Sequence, residues 1–232
     1  MVSGTRTSDA GLHASRHAGN EPPGFDMSYT VKELFLTAQG EGANIGRVAV
    51  FIRFAGCNLW SGREEDRDTA VCRFCDTDFV GGRRFASAEA LADAAATEWR
   101  ASDAADRMTV LTGGEPLLQA DAALIAALRR RAFFIAVETN GTQELPAPLD
   151  WVCVSPKAGA PLVLRRAHEL KLVYPQADAE PERFVDFPAG HHWLSPMDGP
   201  ARDRNTEAAA AYCLAHPRWR LATQAHKTWG LR

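Results

Sequence analysis

The sequence predicts an α/β protein built on a largely parallel sheet, wrapped into a partial, open (β/α) barrel. Three observations predict it. Short apolar runs recur along the chain, separated by amphipathic helical stretches or long crossovers. Polar motifs repeat where those runs stop: T-G-G-E-P at 112–116, E-T-N-G at 138–141, S-P-K at 155–157 and S-P-M-D at 195–198. In parallel α/β folds that carboxyl edge is where ligands bind. Finally, 232 residues are few for a full eight-unit barrel.

The elements follow in order. Residues 29–36 read as a strand, followed by the glycine-rich loop A-Q-G-E-G-A-N-I-G at 38–46. The run V-A-V-F-I-R-F at 48–54 is apolar on both faces, as in a strand covered on both sides. Between Cys57 and Cys75, residues 61–69 are charged and read as a surface insertion. Ser87 N-caps a predicted helix reaching about residue 100. Residues 108–111 form a strand; 117–131 read as a helix with Leu118, Ala122, Ile125 and Leu128 on or near one face. Strands are predicted at 133–137, 151–154, 169–174 and 192–194, a helix at 205–215 and a last strand at 221–226.

Composition bounds the class. Hydrophobic residues make up 46% and charged residues 24%, an ordinary globular balance. A net charge of −3 gives no global reason to expect nucleic-acid or membrane binding. No apolar run is long enough to span a bilayer. Residues 1–26 lack apolar periodicity and read as a disordered N-terminal extension, leaving 27–232 as one domain. Reduced cysteines and the lack of an export signal predict a cytoplasmic location.

The chemistry centres on Cys57, Cys72 and Cys75. A C-x-x-C turn presents two thiolates together, and the third lies fifteen positions upstream of the first of these. Structural zinc and ferredoxin clusters normally take four ligands. Cys153, in the apolar run W-V-C-V, and Cys213, in an Ala-rich helical stretch, read as core residues. Three thiolates suit a [4Fe-4S] cluster with one iron left open, the arrangement a radical S-adenosylmethionine enzyme needs.

Other residues carry two readings each. Gly113 and Gly114 let a ligand approach backbone without a Cβ in the way, or they serve an ordinary strand–helix turn. Glu115 or nearby carbonyls can accept from an ammonium group. Arg53 stands in an apolar strand four residues before Cys57; it grips a substrate carboxylate, or it belongs to an internal ion pair. Gln39, Gly40 and Glu41 suit either a turn or a loop that hydrogen-bonds a polar heterocycle. Asp76 and Thr77 cap a turn or offer oxygen to magnesium. Lys157 is solvated or meets an acidic ligand. His191 and His192 are adjacent in a strand and point opposite ways, which disfavours a shared metal.

Together these residues resemble the 7-carboxy-7-deazaguanine synthase (QueE) family of radical S-adenosylmethionine enzymes. The likeness rests on A-Q-G-E-G at 38–42, R-F-A-G-C-N-L-W at 53–60, C-D-T at 75–77, T-G-G-E-P, E-T-N-G and S-P-K. The usual superfamily spacing is C-x3-C-x2-C; here it is C-x14-C-x2-C, a departure that occurs within this family. The resemblance implies a modified partial (β/α)6 barrel and, in most members, a homodimer. It implies conversion of 6-carboxy-5,6,7,8-tetrahydropterin to 7-carboxy-7-deazaguanine with loss of ammonia, started by a 5′-deoxyadenosyl radical. An external electron donor such as flavodoxin is implied, as is Mg2+.

Carried over by position, Cys57, Cys72 and Cys75 hold the cluster and Thr77 ligates magnesium. Phe74, Cys75, Asp76, Gly114, Glu115, Ser155, Pro156 and Lys157 line the S-adenosylmethionine site. Ala38, Gln39, Gly40, Arg53, Thr112, Ser195, Pro196, Met197 and Asp198 surround the pterin, with Arg232 offering its carboxylate. The rival readings are another small radical S-adenosylmethionine enzyme, such as a glycyl-radical activase, and a non-catalytic electron-transfer or zinc protein.

Overall fold

In the computed structural model, which describes residues 28–100 and 106–231, the strands form one sheet. The expected extension at 1–26 and Arg232 lie outside the described residues. The strands are β1 (Tyr29–Ala38), β2 (Val48–Phe54), β3 (Arg83–Phe85), β4 (Met108–Gly113), β5 (Phe134–Thr139), β6 (Trp151–Val154), β7 (Ala167–Tyr174), β8 (Ala189–Pro196) and β9 (Trp219–Leu221). Their order across the sheet is β3-β1-β2-β4-β5-β6-β7-β8-β9. β1 runs antiparallel to both β2 and β3, and every pairing from β2 to β9 is parallel. β3 and β9 remain as edges, so the barrel is partial.

Four α-helices accompany the sheet among the described residues: α1 (Ala88–Glu98), α2 (Ala122–Arg130), α3 (Arg202–Ala215) and α4 (Ala225–Trp229). α1, α2 and α3 follow β3, β4 and β8, whereas the β5–β6 and β6–β7 connections carry no helix. The helices pack on one face. Ile52, Leu111, Ile135, Val154, Leu170 and Leu194 point there and meet Leu91, Leu124, Leu128 and Ala209 in the main core. Each fully buried side chain of this size stabilises the fold by roughly 1.5–3 kcal/mol.

Because side chains alternate across a strand, the residues between these face the barrel interior. Toward one end Ala49, Met108, Val110 and Ala136 fill that interior as a second, smaller cluster. Toward the other it stays open and polar. No helix among the described residues is long and apolar enough to cross a membrane.

Two expected elements are corrected. The last strand lies earlier than the expected 221–226: β9 ends at Leu221, and α4 begins at Ala225, whose N–H bonds the Gly40 carbonyl at 3.0 Å. That tertiary tie, which no local pattern records, turns the chain. The helix expected over 117–131 splits into a 3-10 turn at Pro116–Leu118 and α2. Gln119 is the reason: its amide donates to the Thr30 and Ala55 carbonyls and its oxygen accepts from the Thr30 N–H. Asp121 then caps α2, accepting from the Leu124 N–H at 2.8 Å. Leu118 is consequently exposed. Ser87 caps α1 as expected, through the Ala90 N–H. Cys153 is buried, and Cys213 is half-buried against the main core.

Candidate active site

A cavity of about 610 Å³ opens at the carboxyl ends of the parallel strands. Its wall brings together residues far apart in the chain: Cys57, Cys72 and Cys75; Phe74, Asp76 and Thr77; Ala38, Gln39 and Gly40; Arg53; Thr112 and Gly114; Ser155 and Lys157; and Ser195, Pro196, Met197 and Asp198. Glu115 and Pro156 are buried behind that wall rather than lining it.

The cysteine corner is built on close backbone contacts. Glu115 N–H bonds the Gly56 carbonyl at 2.9 Å, drawing the end of β4 against the turn before Cys57. At Gly114 a Cβ would lie 2.0 Å from the Gly56 carbonyl oxygen and 2.9 Å from Cys57 Cβ. Gly113, at φ +135°, leaves no more room, with the Phe54 carbonyl 2.2 Å from where a Cβ would sit. The glycine pair is therefore required by the packing of β2 on β4, in addition to any ligand. The Cys72 N–H bonds the Leu59 carbonyl at 3.2 Å, which returns the chain to the same corner.

The Cys72 thiol hydrogen-bonds Cys75, which pushes Cys72 up and holds Cys75 down at about 6. Burial pushes the Cys57 thiol up. Lys157 faces this corner, its Nζ donating to Ser155 Oγ at 2.8 Å; burial pulls its pKa down while the neighbouring Cys72–Cys75 pair opposes that shift. Among the described residues no three His, Cys, Asp or Glu side chains converge to hold one metal ion. A zinc site needs its ligands about 2.0–2.3 Å from a single centre. Three thiols at one corner of the cavity are the donor set of a cluster with one open iron, whereas structural zinc takes four protein ligands.

Glu115 is fully buried and its oxygens are taken. They accept from the Leu117 N–H at 3.0 Å, the Thr139 hydroxyl at 2.8 Å and the Asn140 N–H at 2.7 Å. It bolts the end of β5 to the end of β4. Burial pushes its carboxyl up, and those three hydrogen bonds oppose the shift.

Arg53 lines the cavity with its Nε 3.2 Å from Glu33 Oε2 and its guanidinium 6.0 Å from the Phe35 ring centroid. Among the described residues its Nη groups make no hydrogen bond, so the fork is held at one nitrogen and presents the others.

Sequence reasoning missed a half-buried charge network on the same wall. Lys171 Nζ lies 2.6 Å from Glu41 Oε2 and 2.9 Å from Glu138 Oε2. Gln39 Nε2 donates to Glu138 Oε1 at 3.2 Å. Burial favours the neutral Glu41, yet the Lys171 charge and hydrogen bond hold its carboxyl below the usual value. Burial also works against the Lys171 charge, which Glu138 and Glu41 overcome. The signal was present in H-E-L-K-L-V at 168–173, where charge and Leu alternate. Leu170 and Leu172 enter the main core, so Glu169 and Lys171 face the interior. Glu169 there accepts from the Trp151 indole and, at 2.8 Å, from the Ala43 N–H. Gly42, at φ +68°, leaves room for that contact, since a Cβ would come 2.5 Å from Glu169 Oε2.

Lys227 was also missed. It reaches from α4 to Asp198 at 2.5 Å and to Asp76 at 3.2 Å.

No family model matches the chain. Curated relatives do. It is 62% identical to 7-carboxy-7-deazaguanine synthase of Bradyrhizobium diazoefficiens, across 89% of this chain and 100% of that one. It is 60% identical to the enzyme of the same name from Caulobacter vibrioides, across 88% and 100%. Among solved structures it superposes on QueE from Escherichia coli with a TM-score of 0.66 and 26% identity, covering 86% of this chain and 95% of that one. On this evidence the chain belongs to the 7-carboxy-7-deazaguanine synthase family.

Proposed function

We propose that this chain makes 7-carboxy-7-deazaguanine from 6-carboxy-5,6,7,8-tetrahydropterin, with loss of ammonia, as a radical S-adenosylmethionine enzyme. The observation that carries the reading is that Cys57, Cys72 and Cys75 line the same cavity as Arg53 and Glu138. When bound, a [4Fe-4S] cluster and S-adenosylmethionine supply a carbon-centred radical that takes a hydrogen atom from the substrate.

The chain's own part is to hold and orient. The three cysteines hold the cluster. Gly114, Ser155 and Lys157 border it, where S-adenosylmethionine binds. Asp76 and Thr77 present oxygens beside that position to a magnesium ion, a hard cation that keeps several waters and needs few protein ligands. Arg53 presents its unpaired Nη groups to the substrate carboxylate, a planar match that fixes orientation. Gln39, Glu138 and Lys171 offer donors and acceptors to the heterocycle. Orientation matters because the radical must meet one C–H bond and no other. A volume of about 610 Å³ lies within the usual range for small-molecule sites, which favours a small polar substrate over the protein substrate of an activase. The reading includes an external one-electron donor such as flavodoxin and a homodimer.

The test is anaerobic reconstitution followed by iron and sulfide analysis. The electron paramagnetic resonance spectrum of the reduced protein is then compared before and after adding S-adenosylmethionine. The reading expects three or more irons per chain, an altered spectrum and release of 5′-deoxyadenosine. An unchanged spectrum would return the chain to the electron-transfer class.

A further inference from the structure

Fourteen residues separate Cys57 from Cys72, and the turn Glu64–Thr69 within them has no buried residue. Arg67 differs from its neighbours. Its side chain is 27% exposed where that of Glu64 is 78% exposed. The guanidinium carbon lies 4.1 Å from the ring centroid of Trp60. Trp60 is itself fixed: it is buried, sits edge-on to Phe79 and donates from Nε1 to the Arg63 carbonyl at 3.0 Å.

From this seat Arg67 Nε meets both oxygens of Glu64, at 2.7 and 2.8 Å. Its Nη1 reaches over the loop to the Arg73 carbonyl at 2.8 Å and the Cys75 carbonyl at 3.2 Å. One side chain, stacked on Trp60 three residues after Cys57, thus ties that corner to two carbonyls within the Cys72–Cys75 turn. We propose that Arg67 is a positioning residue for the cluster, clamping the Cys72–Cys75 turn against the Cys57 corner across the long insertion. A flexible loop of this length carries a closure entropy that a fixed bridge removes. The planar fork suits the task, since it stacks on a ring and donates in several directions at once. A lysine ammonium does not reproduce both.

This inference rests on the reading that the three cysteines hold a cluster, and its test separates the two. The full chain and its Arg67→Gln, Arg67→Lys, Glu64→Ala and Cys72→Ala variants are reconstituted anaerobically and challenged with excess iron chelator. Decay of the cluster's visible absorbance is followed, and the melting temperature of each cluster-free chain is measured. Groups that orient metal ligands typically change metal retention roughly ten- to a hundredfold, and loss that much faster is expected for both Arg67 variants, with no rescue by lysine. Glu64→Ala should fall between them and the unaltered chain. Cluster-free melting temperatures should be unchanged. Loss rates equal to that of the unaltered chain in both Arg67 variants overturn the proposal. Faster loss matched by lowered cluster-free melting temperatures in both would assign Arg67 a general structural role and overturn it too. A full cluster in Cys72→Ala would show that the three-cysteine reading has failed, and the proposal falls with it.

Discussion

Lys227 Nζ sits 2.5 Å from Asp198 Oδ2, so the end of β8 is joined to α4 across the mouth of the cavity. The same ammonium reaches Asp76 at 3.2 Å, beside the cysteine corner. Partly exposed pairs of this kind contribute about 1 kcal/mol or less to stability. Lys227→Met is therefore expected to shift the melting temperature little. It should loosen the wall formed by 195–198, weaken pterin binding and slow turnover by up to about a hundredfold, the scale of a misplaced positioning group. Calorimetric titration of the reconstituted protein checks this, and equal affinity would confine Lys227 to the surface.

Lys171 has a different weight, because it neutralises two carboxylates inside the barrel. Removing one partner of a buried ion pair typically costs about 3 kcal/mol or more. Lys171→Met should destabilise the protein by that order in denaturant unfolding. The pH dependence follows from Glu41, whose carboxyl is held below the ordinary value of 4.5. A depressed carboxylate contributes its stability above the unfolded value and loses it as pH falls through the folded one. The gap between unaltered chain and variant should be widest near neutrality and shrink below about pH 4.5. A gap independent of pH would mean the loss is one of packing.

Arg53 is held by Glu33 at Nε alone. Arg53→Lys keeps the charge and loses the fork. Losing a charge-assisted hydrogen bond costs on the order of 1.5–3 kcal/mol, so pterin affinity should fall roughly ten- to a hundredfold. Cluster content and S-adenosylmethionine binding should be unchanged. Unchanged pterin affinity in both Arg53→Lys and Arg53→Ala would leave Arg53 as the partner of Glu33 only.

Much of this was legible because it is local. The run at 48–54 is apolar on both faces and forms β2 over that same span, and the polar motifs at strand ends do border the cavity. What was illegible depends on which way a face turns. Alternation in 168–173 is the same for a strand facing water and for one whose charges point into a barrel. Glu115 looked like a ligand in sequence, yet its oxygens go to Leu117, Thr139 and Asn140. α4 is anchored by Gly40, nearly two hundred residues away, and β3, at three residues, is too short to show a period. Arg67 lay in a stretch of charge that reads as solvated surface; its contacts with Trp60 and Cys75 appear only once the loop is folded.

Cys57, Cys72 and Cys75 leave no spare ligand, so each change to alanine should abolish the cluster. Cys153→Ala and Cys213→Ala should keep it, since Cys153 is buried beside Glu138 and Cys213 packs against the main core, and neither lines the cavity with the three cysteines.

The central claim is that this cavity turns a carboxylated tetrahydropterin into a deazapurine by way of those three cysteines. The most direct measurement is mass-spectrometric detection of product after anaerobic incubation of the reconstituted chain with 6-carboxy-5,6,7,8-tetrahydropterin, S-adenosylmethionine, magnesium and a reductant. The account predicts 7-carboxy-7-deazaguanine and ammonia in equal amounts from the unaltered chain and from Cys153→Ala, and none from Cys72→Ala. A fully loaded cluster that releases 5′-deoxyadenosine but leaves the pterin unchanged would contradict it.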